Sequence, residues 1–149
     1  MSQRFILLIK MAQIIDMKFM RYINLFSKIC HVSTTNCFVY NNQIIFAVPK
    51  KEISVALGKK AMNVKKMSET LRKKIKVIEM PKDETNIKKF VEDLVSPVEF
   101  NNLEVKGSTV FISADRQGKA MLIGRNRIRE KELSVILEKA FKITKLRIG

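Results

Sequence analysis

The sequence predicts an α+β fold of two tandem units, each ordered α-β-β-α-α-β with a three-stranded sheet packed on helices. Three observations predict it. Helical stripes alternate with short β-rich runs, which fits mixed layers better than an all-α bundle. The same succession occurs twice, with Gly58 and Gly124 standing 66 residues apart. The connection between the two rounds, Met80-Pro81-Lys82-Asp83, is short. The 149 residues thus divide into an N-terminal extension (1–16), a first unit (17–80) and a second (81–149). Units of about 65 residues lie near the lower limit for an independent core, so the two are expected to pack on each other.

The elements follow in order. Residues 1–16 hold an apolar run, Phe5 to Ile9, interrupted by Lys10. It is too short for a membrane span and lacks a small-residue cleavage site. A flexible apolar arm and an upstream start codon are both consistent with it, as is peripheral membrane attachment. From Met17 to Ile29, Phe19, Tyr22, Ile23, Phe26 and Ile29 trace one helical face. Cys37 to Tyr40 and Gln43 to Val48 flank Asn41-Asn42, a hairpin signal because Asn tolerates positive φ. Ile53 to Val77 reads as two helical pieces broken at Gly58, and Ile75 to Met80 alternates like a strand. In the second unit Ile87, Phe90, Val91, Leu94 and Val95 form a helical stripe, with Asp83 and Thr85 as capping candidates and Pro97 as the stop. Val98 to Val105 and Thr109 to Ala114 read as strands. Asp115 caps a helix from Gln117 to Ile123, Gly124 breaks it, and Leu133, Ile136, Leu137 and Ala140 carry the next. Ile143 to Ile148 is the last strand, with Ile143 laid over Ile75.

The formal charge is +15, from 29 Lys and Arg against 14 Asp and Glu. That points to a polyanionic partner, nucleic acid first and an acidic membrane surface second. The charge is uneven: residues 1–80 hold 15 bases and 4 acids, residues 81–149 hold 14 and 10. Eight bases and one acid, Glu69, fall between Lys59 and Lys76. A small cationic turn between two helices brings backbone N–H groups and lysines against a phosphate. The candidate contacts are Gly58, Lys59, Lys60 and Ala61 in the first turn, with Asn63, Lys65 and Lys66 at the start of the next helix. Gly124, Arg125, Asn126 and Arg127 extend the track in the second unit.

Other chemistries have little support. Cys30, His31 and Cys37 fit no common zinc spacing, so buried thiols are expected, in keeping with a reducing cytoplasm. There is one histidine, His31, and no P-loop, Ser/His/Asp set or HExxH. No enzyme activity, cofactor, metal or small-molecule substrate is expected.

The order α-β-β-α-α-β resembles that of type II KH domains, whose Gly-x-x-Gly loop clamps about four nucleotides. The pair resembles the short archaeal NusA-like transcription factors over residues 17–149. The likeness rests on Arg21 to Phe26, Ile45 to Val48, Ala56-Leu57-Gly58-Lys59 with Asn63-Val64, and Lys119 to Arg125. Ala61 and Arg127 stand where the family's closing glycine falls, and Arg129 stands where Asn63 is matched. The resemblance implies single-stranded RNA as ligand and RNA polymerase as partner, in elongation or termination. The departures leave a second reading open, an interaction module on polymerase or a ribonucleoprotein with non-clamping loops.

Overall fold

The computed structural model describes residues 3–149, with side chains described for all but 4–16 and 84. Its elements are α1 (Gln3–Cys30), β1 (Cys37–Tyr40), β2 (Gln43–Val48), α2 (Ile53–Leu57), α3 (Met62–Leu71) and β3 (Lys74–Glu79). Then come α4 (Ile87–Val95), β4 (Asn102–Lys106), β5 (Thr109–Ser113), α5 (Arg116–Ile123), α6 (Ile128–Phe141) and β6 (Lys145–Ile148). The predicted order therefore occurs twice. Each unit has its own three-stranded sheet, β1-β2-β3 and β4-β5-β6, with an antiparallel hairpin followed by a parallel strand. Helix α1 begins well before the Met17 start read from the sequence. The readings of residues 1–16 as a flexible or membrane-seeking arm fall on side chains outside the described ones. No helix among the described residues is long and apolar enough to cross a membrane.

Local chemistry accounts for the turns. Asn41 and Asn42 both have positive φ (52° and 58°), the pair of left-handed residues that a two-residue hairpin loop with the right twist requires. Asp115 caps α5 by accepting from the Gly118 backbone N–H at 2.6 Å. The expected cap of α4 differs: its N-cap is Asn86 without a side-chain bond, and the Asp83 carboxylate instead binds the backbone N–H and hydroxyl of Thr85. Strand β4 starts at Asn102, later than Val98, because the Val98 N–H turns back to the Val95 carbonyl at 3.0 Å.

The described residues form two cores. In the first, α1, α2 and α3 cover one face of the first sheet. Ile44, Phe46 and Val48 meet Tyr22, Phe26, Ala56 and Met67 there, with Phe26 and Phe46 stacked at 4.2 Å. Cys30 and Cys37 are free thiols in this core. Burial pushes Cys30 up to about 11 and Cys37 up to about 12. The second core is shared. Phe38, Tyr40, Ile45, Ala47 and Ile78, on the opposite face of the first sheet, join α4, α6 and the inner face of the second sheet in one cluster. Phe90 sits at the junction, edge to face with Phe38 at 6.2 Å and with Phe141 at 5.1 Å. The two units pack as expected from their size, and the first sheet is buried on both faces. That explains the unbroken apolar run Ile44 to Val48, since a strand covered on both sides does not alternate. Strand β5 does alternate, because nothing among the described residues covers the outer face of the second sheet.

The registers refine the repeat. Ile44 pairs with Ile75 in the first unit, and Val110 pairs with Leu146 in the second. Leu146, rather than Ile143, is therefore the counterpart of Ile75. Helix α6 has 14 residues where α3 has 10, and this added turn displaces the second unit's last strand. Ile143 is buried just before β6.

Candidate nucleic-acid interface

Both helix-loop-helix turns adopt one backbone form. Helix α2 ends because Gly58 takes φ 75°, ψ 176°, a region essentially reserved for glycine. Its N–H still closes the helix on the Ser54 carbonyl at 3.1 Å. Lys60 (φ 54°, ψ 33°) and Ala61 (φ 57°, ψ 29°) are both left-handed, and α3 starts at Met62. The second turn repeats this within a few degrees. Gly124 has φ 73° and ψ 174°, Asn126 φ 56° and ψ 27°, and Arg127 φ 60° and ψ 23°. The position of the family's closing glycine is thus left-handed in both units although neither residue is glycine.

That geometry has a cost. A left-handed non-glycine residue is strained by about 1–2 kcal/mol, partly offset by the lower chain entropy of a side-chain-bearing residue. Ala61→Gly is therefore expected to stabilise the chain by about 0.5–1 kcal/mol. Arg127→Gly relieves the same strain but removes the 3.4 Å ion pair to Glu130, so its net effect should lie near zero. Urea titration of the two variants checks the contrast.

A side chain five residues on covers each glycine. The Asn63 amide lies where a Gly58 Cβ would meet it at 2.7 Å, and it donates to the Val55 carbonyl at 3.3 Å, tying α3 back to α2. In the second unit Arg129 takes this place. Its guanidinium donates to Glu132 at 2.6 Å, and the same carboxylate oxygen accepts from the Asn41 backbone N–H at 3.2 Å. Arg129 is thereby committed to linking the second turn to the first unit's hairpin.

The electrostatics of the turns differ. Among the described residues neither α3 nor α6 has a side-chain N-cap; the first N–H of each, on Met62 and Ile128, bonds the Lys59 and Arg125 carbonyls, and the N–H groups that follow have no side-chain acceptor that would keep an anion away. Around α3, Lys59, Lys60, Lys65 and Lys66 are exposed, the first turn carries no acid, and none of the four is in an ion pair among the described residues. Around α6, Arg125, Asn126 and Arg127 are exposed, but Glu130 in the first turn pairs with Arg127. Lys76, counted with the first basic cluster in the sequence, lies elsewhere. Its ammonium donates to the carbonyls of Leu94 (3.3 Å) and Ser96 (3.1 Å) at the C-terminal end of α4, where the helix dipole favours a cation. Burial lowers its pKa, and the neighbouring Asp93 raises it.

Four site residues were not visible in the sequence. Val55 and Met62 flank the first turn and are 53% and 63% exposed; Met121 and Ile128, each 66 positions later, are 51% and 50% exposed. Their one signal is that they interrupt the polar faces of their helices. Beside the second turn runs a groove of about 550 Å³, bounded by Lys119, Ile123, Arg127, Glu130, Leu146 and Arg147. The arrangement offers cations and N–H donors to phosphates and apolar contacts to flat rings.

The KH domain family model matches residues 21–107, from α1 through the start of the second unit. The chain is similar to a probable transcription termination protein NusA of Methanocaldococcus jannaschii, 28% identical over 130 residues, 85% of this chain and 69% of that one. It is 31% identical over 84 residues to a probable transcription termination protein NusA of Methanococcus vannielii, 56% of this chain and 47% of the relative. A third, from Halococcus morrhuae, is 27% identical over 110 residues, 72% of this chain and 77% of that one. Among solved structures, the crystal structure of APE1850 superposes with a TM-score of 0.62 and 29% identity, over 87% of this chain and 96% of that one. The matched family model, the repeated α-β-β-α-α-β order with its paired left-handed turns, and these relatives together show that the chain belongs to the KH domain family, in its NusA-like form.

Proposed function

We infer that the chain is a non-enzymatic, RNA-binding transcription factor of the NusA type, working with RNA polymerase in the cytoplasm. Single-stranded RNA lies across the first turn. Gly58 supplies the backbone angles that shape the turn toward a phosphate. Lys59 and Lys60 neutralise it, and the N–H groups of α3 beyond Met62 donate to its oxygens. Asn63 keeps the turn closed, while Lys65 and Lys66 extend the field along the helix. Val55 and Met62 receive the bases. Gly124, Arg125, Asn126 and Arg127 continue the track more weakly. The observation that carries this reading is the N-terminus of α3, without a side-chain cap, among four exposed lysines, none of them in an ion pair among the described residues. Binding of this kind supplies affinity more than sequence choice.

Fluorescence anisotropy with a short single-stranded RNA, across a salt series, tests it. Lys59→Asp with Lys60→Asp should weaken binding about tenfold or more at 0.1 M salt. The slope of log affinity against log salt should fall by roughly 1.4, about 0.7 for each phosphate no longer neutralised. Affinity equal to wild type with an unchanged slope would sink the assignment. A second reading, a protein-interaction module with non-clamping loops, is favoured at the second turn by the commitment of Arg127 and Arg129 to Glu130 and Glu132. It expects polymerase binding that survives the double substitution.

A further inference from the structure

The two sheets present equivalent outer faces with opposite fates. In the first unit the row Phe38, Ile45, Lys76 crosses the sheet. It is covered by the second unit: Phe38 meets Phe90, and Lys76 holds the end of α4. The corresponding row in the second unit is Glu104, Phe111, Arg147, and the next row is Lys106, Thr109, Lys145. Nothing among the described residues covers these rows. Glu104, Lys106, Lys145 and Arg147 are exposed, and Phe111 is half-buried at the centre. The face carries three cations and one acid. Among the described residues its one ion pair, Lys106 to Glu104, is 4.0 Å long and fully at the surface, so it does little to neutralise the face. The Lys106 ammonium stands 5.7 Å from the Phe111 ring centroid on a long, exposed stem. Phe111 and Arg147 also line the groove beside the second turn, so that groove continues around the β6 edge onto this face.

We propose that the outer face of β4-β5-β6 is a second single-stranded RNA surface, on which a base stacks against Phe111 while Arg147, Lys145 and Lys106 meet the adjoining phosphates. A covered face needs apolar residues, as the first unit's has. This face instead pairs a flat ring with net positive charge, the combination that holds unpaired strands without reading sequence. The groove's continuity sets the path: a strand leaving the second turn passes the β6 edge and reaches Phe111. The inference rests on the RNA-binding reading above.

The experiment measures the affinity of the full chain for 5-nucleotide and 15-nucleotide single-stranded RNAs of mixed sequence. The variants are Phe111→Leu, which keeps an apolar side chain but removes the stacking plane, Arg147→Glu, and the Lys59/Lys60 double substitution. Phe111→Leu should weaken the longer RNA about fivefold or more and leave the shorter within about twofold. Arg147→Glu should lower the salt slope for the longer RNA by about 0.7. If both bind the longer RNA like wild type while the Lys59/Lys60 variant loses affinity, the sheet surface is overturned and the first-turn reading stands. If wild type binds neither RNA, both fall. Equal weakening of both lengths by Phe111→Leu would mean that the ring acts through the fold, which also overturns the proposal. So would binding of a glutamate-rich peptide that Arg147→Glu abolishes while RNA affinity is untouched, since that assigns the face to a protein partner.

Discussion

Phe90→Ala is expected to cost about 3–5 kcal/mol and to unfold both units in one transition. Phe90 is almost fully buried between Phe38 of the first sheet and Phe141 of α6, so truncation leaves a cavity in the shared core and removes two edge-to-face pairs. The chain reports this conveniently. It has no tryptophan, and its two tyrosines, Tyr22 and Tyr40, both lie in the first unit, whereas Phe90 lies in the second. Urea unfolding followed by tyrosine fluorescence should therefore shift as far as unfolding followed by far-ultraviolet circular dichroism. A tyrosine transition that stays at the wild-type midpoint, beside a biphasic dichroism curve, would show that the units fold separately.

Gly124→Ala should cost about 3–4 kcal/mol and Gly58→Ala about 2–3 kcal/mol, from a backbone region worth about 1–3 kcal/mol of strain plus a steric term. The steric terms rank the pair. A Cβ on Gly124 meets Arg129 Cγ at 2.6 Å, Cβ at 3.0 Å and backbone N at 3.2 Å, two of which are fixed to the helix. A Cβ on Gly58 meets only the Asn63 amide group, at 2.7 Å for its nearest atoms, and that group can swing away by giving up its bond to Val55. Adding Asn63→Ala to Gly58→Ala should therefore recover the steric part and leave the backbone strain. Equal costs at the two glycines, or no recovery in the double variant, would refute this account of the turns. Gly58→Ala should also weaken RNA binding, because its Cβ displaces the Asn63 amide and disturbs the turn that carries Lys59 and Lys60.

Much of this molecule is legible in the sequence because the determinants are local. The Asn41-Asn42 turn follows from the tolerance of Asn for positive φ. The α4 stripe, in which Ile87, Phe90, Val91, Leu94 and Val95 are all buried, follows from helical periodicity. The repeated glycines mark two turns of one shape, since few other residues accept their backbone angles. The family resemblance and the α+β order come from the same local signals.

Other features depend on what lies across space. Periodicity shows that one face of a strand is buried but not that a second layer covers the other, so the two-sided burial of β2 came only with the placement of α4 and α6. Apolar spacing laid Ile143 over Ile75, but strand pairing puts Leu146 there, since register answers to a partner strand and α6 carries an added turn. Charge counting cannot separate Lys76, which holds the end of α4, from Lys59 and Lys60, which face solvent. Nor can it show that Glu130 and Glu132 engage Arg127 and Arg129. Fold class, repeat and the two turns follow from neighbours along the chain. Which cations are free, which apolar side chains are exposed and which sheet face stays open follow from packing alone, because each depends on residues far apart in the chain.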